Sequence, residues 1–493
     1  MYLLGYDIGS SSVKAALVHA KTGNTLAIAS FPEQELPIDA PTIGWAEQDP
    51  EMWWECVQKV TAKLLAKVDQ PMTIQGIGIS YQMHGLVMVD ENQRSIRPAI
   101  IWCDSRAVKI GEEAFEAIGP DNCLSSLLNS PGNFTSSKLK WVKENEPTLY
   151  AQIYKIMLPG DFIAMKMTGQ ISTTITGLSE GIFWDFKKNS ISTDILNHFG
   201  FDSGLLPPHY PSIANHGVLN AESAQLLGLN SGIQIGYKAG DQPNNAMALG
   251  VLNPGEIAAS GGTSGVVYGV VDQPIFDPLS RVNSFAHINH QANDPKIGVL
   301  LCINGAGIQY SWLRKMIGEI NTDYNQLELM ASKVAVGADG LTMLPFGNGT
   351  ERILENQNLG AHWMNLQFNT HGKGHLIRAA LEGIAFSFVY GIEIMKAMGI
   401  DVSLMKVGND NLFQSSIFST TIASILDCKI EMVETNGAIG AARAAGVAIG
   451  CYENEQEAFS KLEIIRTYQA DTDTLAYQKA YEVWKNDLEK LKA

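Results

Sequence analysis

Two short turns rich in glycine and hydroxyl side chains carry the clearest chemistry in the sequence. Asp7 closes a β-rich run just before Gly9-Ser10-Ser11-Ser12, and Gly261-Gly262-Thr263-Ser264-Gly265 interrupts another such run far downstream. A turn of this composition between strands aims successive N–H groups into a concavity that attracts phosphate oxygens. A carboxylate beside it can meet a hydrated Mg2+ that bridges those phosphates. Either turn alone reads equally as a tight hairpin in which glycine permits the backbone angles and Asp7 makes an Asx bond. Two facing turns, however, would grip one polyphosphate from opposite walls of a cleft. A further acid, Asp241, stands in Ala239-Gly240-Asp241-Gln242-Pro243-Asn244-Asn245. It can accept the proton of a hydroxyl attacking phosphorus, or it can cap the helix that starts near Asn244.

Other residues suit a polar acceptor. Tyr81-Gln82-Met83-His84-Gly85 leaves the end of a strand, where an amide and an imidazole offer donors and acceptors to sugar hydroxyls; a satisfied turn histidine fits the same letters. Trp102-Cys103-Asp104-Ser105-Arg106 offers a ring face beside an acid and a base, and a core Trp with a local Asp104–Arg106 ion pair explains it as well. His287, His290 and Asp294 fall in an Asn/Pro-rich loop with no third ligand at a recognisable metal spacing, so a solvated loop is expected. Trp53-Trp54 reads as one core ring and one interfacial ring of an amphipathic helix.

The elements that position these residues repeat. The chain opens with β-rich runs at 2–7, 13–18 and 25–30 joined by turns, a meander. Asp49-Pro50-Glu51 then supplies an N-cap and a first-turn proline for a helix with apolar residues at helical spacing, and strands follow at 74–80 and 86–90. After Asn253-Pro254-Gly255, residues 256–271 repeat the strand, Gly/Ser/Thr turn, strand device, which suggests duplication. A strand at 298–303 and helices at 308–317, 375–398, 438–449 and 472–492 complete the second half. No low-complexity linker separates the halves, so domains 1–249 and 250–493 are expected to meet at a cleft with a hinge near 250–255.

Composition bounds the function. The 493 residues are 45% hydrophobic and too many for one core. With 35 Lys+Arg against 51 Asp+Glu, the net charge of −16 leaves no surplus of cations for a nucleic-acid backbone. Six scattered cysteines without a CxxC pair read as reduced, mostly buried thiols. No apolar run is long enough to cross a bilayer, and a soluble, cytoplasmic protein is expected.

These motifs together resemble the FGGY carbohydrate kinases of the actin-like ATPase superfamily over nearly the whole chain. Residues 6–14 look like the family's first phosphate loop, 261–265 like its second and Gly240-Asp241-Gln242 like the segment with its catalytic aspartate; residues 44–50 and 101–106 also look like family blocks. The resemblance implies an α/β, two-domain actin-like (ribonuclease H-like) fold with duplicated mixed sheets and an inter-domain cleft, and ATP- and Mg2+-dependent phosphorylation of a sugar. It makes Asp241 the general base and Asp7 the Mg2+ residue. It assigns nucleotide contacts to Gly9, Ser10, Ser11, Lys14, Gly262, Thr263, Gly305 and Gln309, with Gly408, Asn409 and Asn411 at the adenine. Sugar contacts fall to Gln82, Met83, His84, Trp102, Asp104, Asp241 and Gln242. Gln82-Met83-His84-Gly85 is similar to the motif of the branch that acts on ketopentoses, implying D-xylulose as acceptor. Gln242 stands where that branch commonly has asparagine, and the adenine segment 407–413 keeps one glycine, so another sugar or polyol is the alternative, and a non-catalytic sugar- and nucleotide-binding regulator a second. A homodimer is compatible with the resemblance.

Overall fold

The computed structural model describes residues 1–68, 73–317, 322–409 and 411–492, with only the backbone of Asn411. Two large mixed sheets share one plan. In the first, β1 (Tyr2–Ile8), β2 (Val13–His19) and β3 (Thr25–Phe31) form the antiparallel meander, and β4 (Ile74–Tyr81) and β5 (Gln234–Gly240) add parallel strands on the other side of β1, in the order β5-β4-β1-β2-β3. In the second, β6 (Ile257–Gly261), β7 (Gly265–Val271) and β9 (Ile297–Ile303) form the meander, and β10 (Leu404–Gly408) and β11 (Lys429–Val433) run parallel to β6. Two extra antiparallel edges, β8 (Asn283–Ala286) on β9 and β12 (Ile464–Tyr468) on β11, complete the order β8-β9-β7-β6-β10-β11-β12. Three antiparallel strands followed by two parallel ones, twice, confirm the duplicated α/β architecture. Among the described residues no helix is long and apolar enough to cross a membrane.

The helix that follows the last parallel strand of each half leans onto the other half. The Asp241–Ala248 helix, entered from β5, puts Ala246 among Ala258 and Tyr268 of the second sheet. The Gly437–Ala448 helix, entered from β11, buries Ala438, Ala441, Ala442 and Ala445 against Leu3, Ala16 and Tyr237 of the first sheet. Alanine and glycine are needed because the helix backbone touches the sheet. A Cβ at Gly5 would lie 1.9 Å from the Ala438 carbonyl oxygen, and one at Gly78 would lie 1.9 Å from that of Ala441. The two helices meet where the Asn244 amide donates to the Gly437 carbonyl at 3.0 Å.

Local signals act as their chemistry requires. Asp49 caps the Pro50–Leu65 helix by accepting from Glu51 N at 3.0 Å. Two expectations fail. Trp54 is only 5% exposed, so both rings of the Trp pair are core rather than one being interfacial. His287 and His290 are not in a solvated loop: His287 is fully buried with its Nδ1 3.0 Å from the Tyr268 hydroxyl, and His290 is buried with its Nδ1 3.2 Å from the Lys296 carbonyl. Burial favours neutral imidazole at both positions, and no group of three metal-ligating side chains occurs among the described residues.

The close approach of helix and sheet yields a direct test. Gly78→Ala is expected to cost about 1–3 kcal/mol through forced separation of backbone from backbone, read as a lower urea midpoint with an unchanged m-value.

Candidate active site

The first phosphate turn is braced from behind. Gly9 N donates to Ser12 O at 3.1 Å, and Leu36 N donates to Ser11 O at 2.8 Å. The Gln48 amide donates to Ser10 O at 2.7 Å, and Trp102 Nε1 reaches Ser10 Oγ at 3.3 Å. Trp102 is otherwise exposed, and this bond ties its ring edge to the turn. Lys14, opposite Asp7 in the β1–β2 register, is exposed. Asp7 Oδ1 accepts from Ser80 Oγ at 2.9 Å, while a Cβ at Gly437 would lie 2.8 Å from Asp7 Oδ2. Asp7 therefore faces the N-terminus of the Gly437–Ala448 helix, where amide dipoles favour negative charge.

Asp241 is the first residue of its helix, after the Gly240 cap, and does not serve as the cap itself. Burial, then the charge of Asp7, push its carboxyl up to about 7; hydrogen bonds from Gln242, backbone and side chain, oppose the rise. An acid poised there can take a proton at neutral pH. A cation near Asp7 would relieve part of the repulsion.

The Gln82–His84 segment lies next to it. Gln82 N donates to Ile8 O at 2.8 Å, and its buried Oε1 has no partner. Met83 and the carboxyl of Glu180 flank Gly240 so closely that a Cβ there would be 2.5 Å from Met83 Cγ and 2.5 Å from Glu180 Oε2. His84 has a left-handed backbone (φ 61°), its Nδ1 lies 3.0 Å from the Glu180 carbonyl, and its ring forms a triangle with Phe134 and Phe285, at 4.8 and 5.4 Å, which themselves pack at 5.9 Å. Burial, then Lys138, lower its pKa to about 3, so the ring is neutral. Phe285 belongs to β8, so His84 bridges the two halves. Nearby, Ala286 N donates to Ser179 Oγ at 2.9 Å across the same seam.

Asp104 is turned into the protein. It is 0% exposed, accepts from Ala46 N at 2.6 Å and pairs with Arg106 at 2.6 Å, whose guanidinium stacks 3.9 Å over Trp45. The carboxylate fixes the corner from which Trp102 projects, and the sugar contact assigned to it in the sequence is replaced by that structural one. Lys138, buried and unflagged by the sequence, donates to His84 O at 2.9 Å and Ile101 O at 3.0 Å, joining the two segments.

The second turn opens a cavity of ≈ 590 Å³ lined by Gly262, Thr263, Gly307, Tyr310, Glu328 and Gln414, among others. Gly307 N donates to Gly262 O at 3.1 Å and Ile308 N to Thr263 O at 3.0 Å, which holds this turn against the start of the Gly307–Ile317 helix. Tyr310 and Tyr324 pack with ring centroids 5.2 Å apart, and Glu328 accepts from Ser415 Oγ at 2.7 Å and Ile417 N at 2.9 Å. The result is a cleft with aromatic and aliphatic walls beside a backbone nest, a shape suited to a purine nucleotide. Gly305 and Gln309 stand behind this lining. A Cβ at Gly305 would lie 1.6 Å from Pro345 O, and buried Gln309 leaves both amide atoms unpartnered. Gly408 ends β10; Asn409 donates to Glu434 at 2.8 Å. The side chain of Asn411 lies outside the described residues.

Two domain families match the chain: the N-terminal domain of the FGGY family of carbohydrate kinases over residues 2–249, and its C-terminal domain over 257–449. The chain belongs to the FGGY family of carbohydrate kinases. Similar curated proteins include xylulose kinases of Bacillus subtilis (28% identical, 98% of this chain and 96% of that one) and Escherichia coli (27%, 98% and 98%). Among solved structures, a xyloylose kinase of Brucella ovis superposes with a TM-score of 0.88 at 26% identity over 100% of this chain and 99% of that one. A Plasmodium falciparum glycerol kinase with ADP shares the fold at 0.89 and 19% identity, covering 99% and 98%.

The raised Asp241 carboxyl sets a sign. Its folded pKa of about 7 exceeds the ordinary value of 3.8, so the ionised group costs stability above pH 7, and the cost disappears as pH falls through the interval between the two values. Asp241→Asn should therefore raise stability by about 1–3 kcal/mol near pH 8 and by little near pH 4, measured by denaturant titration at both. In the parent, kcat/KM for the acceptor should rise as pH increases through about 7.

Proposed function

We propose that this carbohydrate kinase phosphorylates D-xylulose at its 5-hydroxyl with ATP as donor. The observation that carries the reading is Asp241, a carboxyl with a raised pKa that feels the charge of Asp7 and directly follows Gly240, against which Met83 packs. The curated relatives named xylulose kinase, which match almost end to end, support the choice of sugar. In this reading Gln82, Met83, His84 and Gln242 hold the ketose, with Trp102 at the rim of the crevice, and the acceptor hydroxyl points at Asp241. The hydroxyl proton passes to Asp241 as its oxygen bonds to the γ-phosphorus and the bridging oxygen leaves with ADP. The backbone of Gly9, Ser10 and Ser11 and that of Gly262 and Thr263 hold phosphate oxygens, with Lys14 at the outer edge. Gly305 and Gln309 support the nest, while Gly408 and Asn409 border the base.

Mg2+, when bound, would neutralise charge on the β- and γ-phosphate oxygens. Asp7 is the residue to hold it through water, and its unshared Oδ2 and the absence of any group of three ligating side chains among the described residues suit an ion that keeps its own waters and phosphate ligands. Units 1–249 and 250–493 would close over the substrates and shield the phosphoryl group from water.

ADP production coupled to a panel of ketopentoses, aldonates and polyols tests the reading. D-xylulose should give the highest kcat/KM, and Asp241→Ala should lower kcat by at least about 10³-fold with nucleotide binding kept. A strong response to another acceptor, with none to D-xylulose, would replace the sugar; equal rates in parent and variant would remove Asp241 from the mechanism.

A further inference from the structure

Among the described residues Arg352 is a cation without a counter-ion, near the second phosphate turn. It opens the short Arg352–Leu354 helical turn. Its neighbour Glu351, fully buried, accepts from Asn304 N at 3.0 Å and Gly305 N at 2.9 Å. Those two bonds pin Arg352 beside the end of β9, where the chain enters the turn that Gly307 N ties to Gly262 O. The residue itself is half-buried and its guanidinium withdrawn from bulk water. Among the described residues no carboxylate pairs with it and no acceptor takes a hydrogen bond from its side chain. Several other buried guanidiniums are held by carboxylates, Arg97 and Arg106 by Glu47 and Arg378 by Glu382 at 2.6 Å, while Arg443 has the Gly23 carbonyl at 2.8 Å.

What surrounds Arg352 places it within electrostatic reach of both proposed sites. Its charge acts on the His84 ring, on the acceptor wall, and on the Cys302 thiol of β9. The same thiol feels Asp241. The guanidinium thus shares a neighbourhood with the proposed base and the proposed sugar segment, and its root lies next to the second phosphate nest. Partial desolvation of an unpaired guanidinium is unfavourable unless an anion arrives to match its planar fork of donors.

We propose that Arg352 clasps the phosphoryl group in transit, donating to the equatorial oxygens of the γ-phosphoryl as it moves from ADP to the sugar oxygen. This rests on the kinase reading above. Arg352 keeps its protons throughout: the phosphorus–oxygen bond to ADP breaks, the bond to the sugar oxygen forms, and the hydroxyl proton goes to Asp241. The charge gathered on the three oxygens is largest between the two bonded states, so the interaction favours the transition state over bound ADP or bound free sugar.

The test compares parent, Arg352→Ala and Arg352→Met in sugar-dependent ADP production, with ADP affinity by titration calorimetry and thermal melts for each. The expected result is a loss of about 10²–10³-fold in kcat, ADP affinity within about threefold of the parent, and recovery of at least about tenfold in Arg352→Ala on adding guanidinium ion. Arg352→Met, which keeps the apolar stem, serves if the alanine variant does not fold, and it should show the same loss in kcat with ADP binding retained. A folded variant with kcat within threefold of the parent overturns the proposal. So does a loss of rate that tracks a loss of ADP affinity and that guanidinium does not relieve, because that pattern belongs to a structural residue. A parent with no sugar-dependent ADP production would instead sink the kinase reading, whatever the variants do.

Discussion

The constraint on which the rest depends is the contact of helix backbone with sheet backbone at Gly5 and Gly78. Because nothing larger than hydrogen fits there, the Gly437–Ala448 helix lies directly on β1 and β4, and its N-terminus is delivered to the ends of those strands. Asp7 stands at that point, its one oxygen on Ser80 and the other beside Gly437. The reciprocal helix carries Asp241 from β5 to the same place. The neighbourhood of Asp7 and Asp241 is thus a by-product of how two similar sheets exchange helices, and its geometry is as stiff as that packing.

Charge then divides the crevice. Burial raises the pKa of Asp241, and repulsion from the neighbouring Asp7 carboxylate adds to the rise. Around them stand backbone amides at both turns and the guanidinium of Arg352, with which no carboxylate among the described residues pairs. An incoming polyphosphate with its cation matches both sets: the cation suits the acids, and the phosphate oxygens suit the amides and the arginine. The wall proposed to meet the sugar is built on different physics, with His84 held neutral by burial and packed against both Phe134 and Phe285. A sugar needs directional donors and acceptors more than charge, and a neutral imidazole supplies them.

Much of the frame was legible because its signals are local. The Asp49-Pro50 helix start, the two Gly/Ser/Thr turns and the repeated meander depend on residues adjacent in the chain, and the strands around them match the expected runs within a residue or two. Features built from distant segments were hidden. The cavity at the second turn takes Tyr310, Glu328 and Gln414 from three stretches whose letters carry no shared pattern, and only tertiary packing brings them together. Glu180 and Lys138 sit in unremarkable helical stretches yet are buried beside the acceptor segment. His287 was misread since an Asn/Pro-rich loop normally faces water, while its bond to Tyr268 is a long-range one. Asp104 had two readings, and the ion pair with Arg106 is the one the structure realises.

The exchange of helices also bears on how the polypeptide comes off the ribosome. The first sheet is complete once β5 has been made, but the alanine-rich cover for β1 and β4 is encoded almost two hundred residues later. Throughout the synthesis of that interval one face of an early-finished layer, lined by Leu3, Ala16 and Tyr237, has no permanent roof. Nascent chains of this kinase therefore depend on late docking by their own C-terminal portion, and any stall in translation before residue 437 leaves an apolar surface open to chaperones or to other chains.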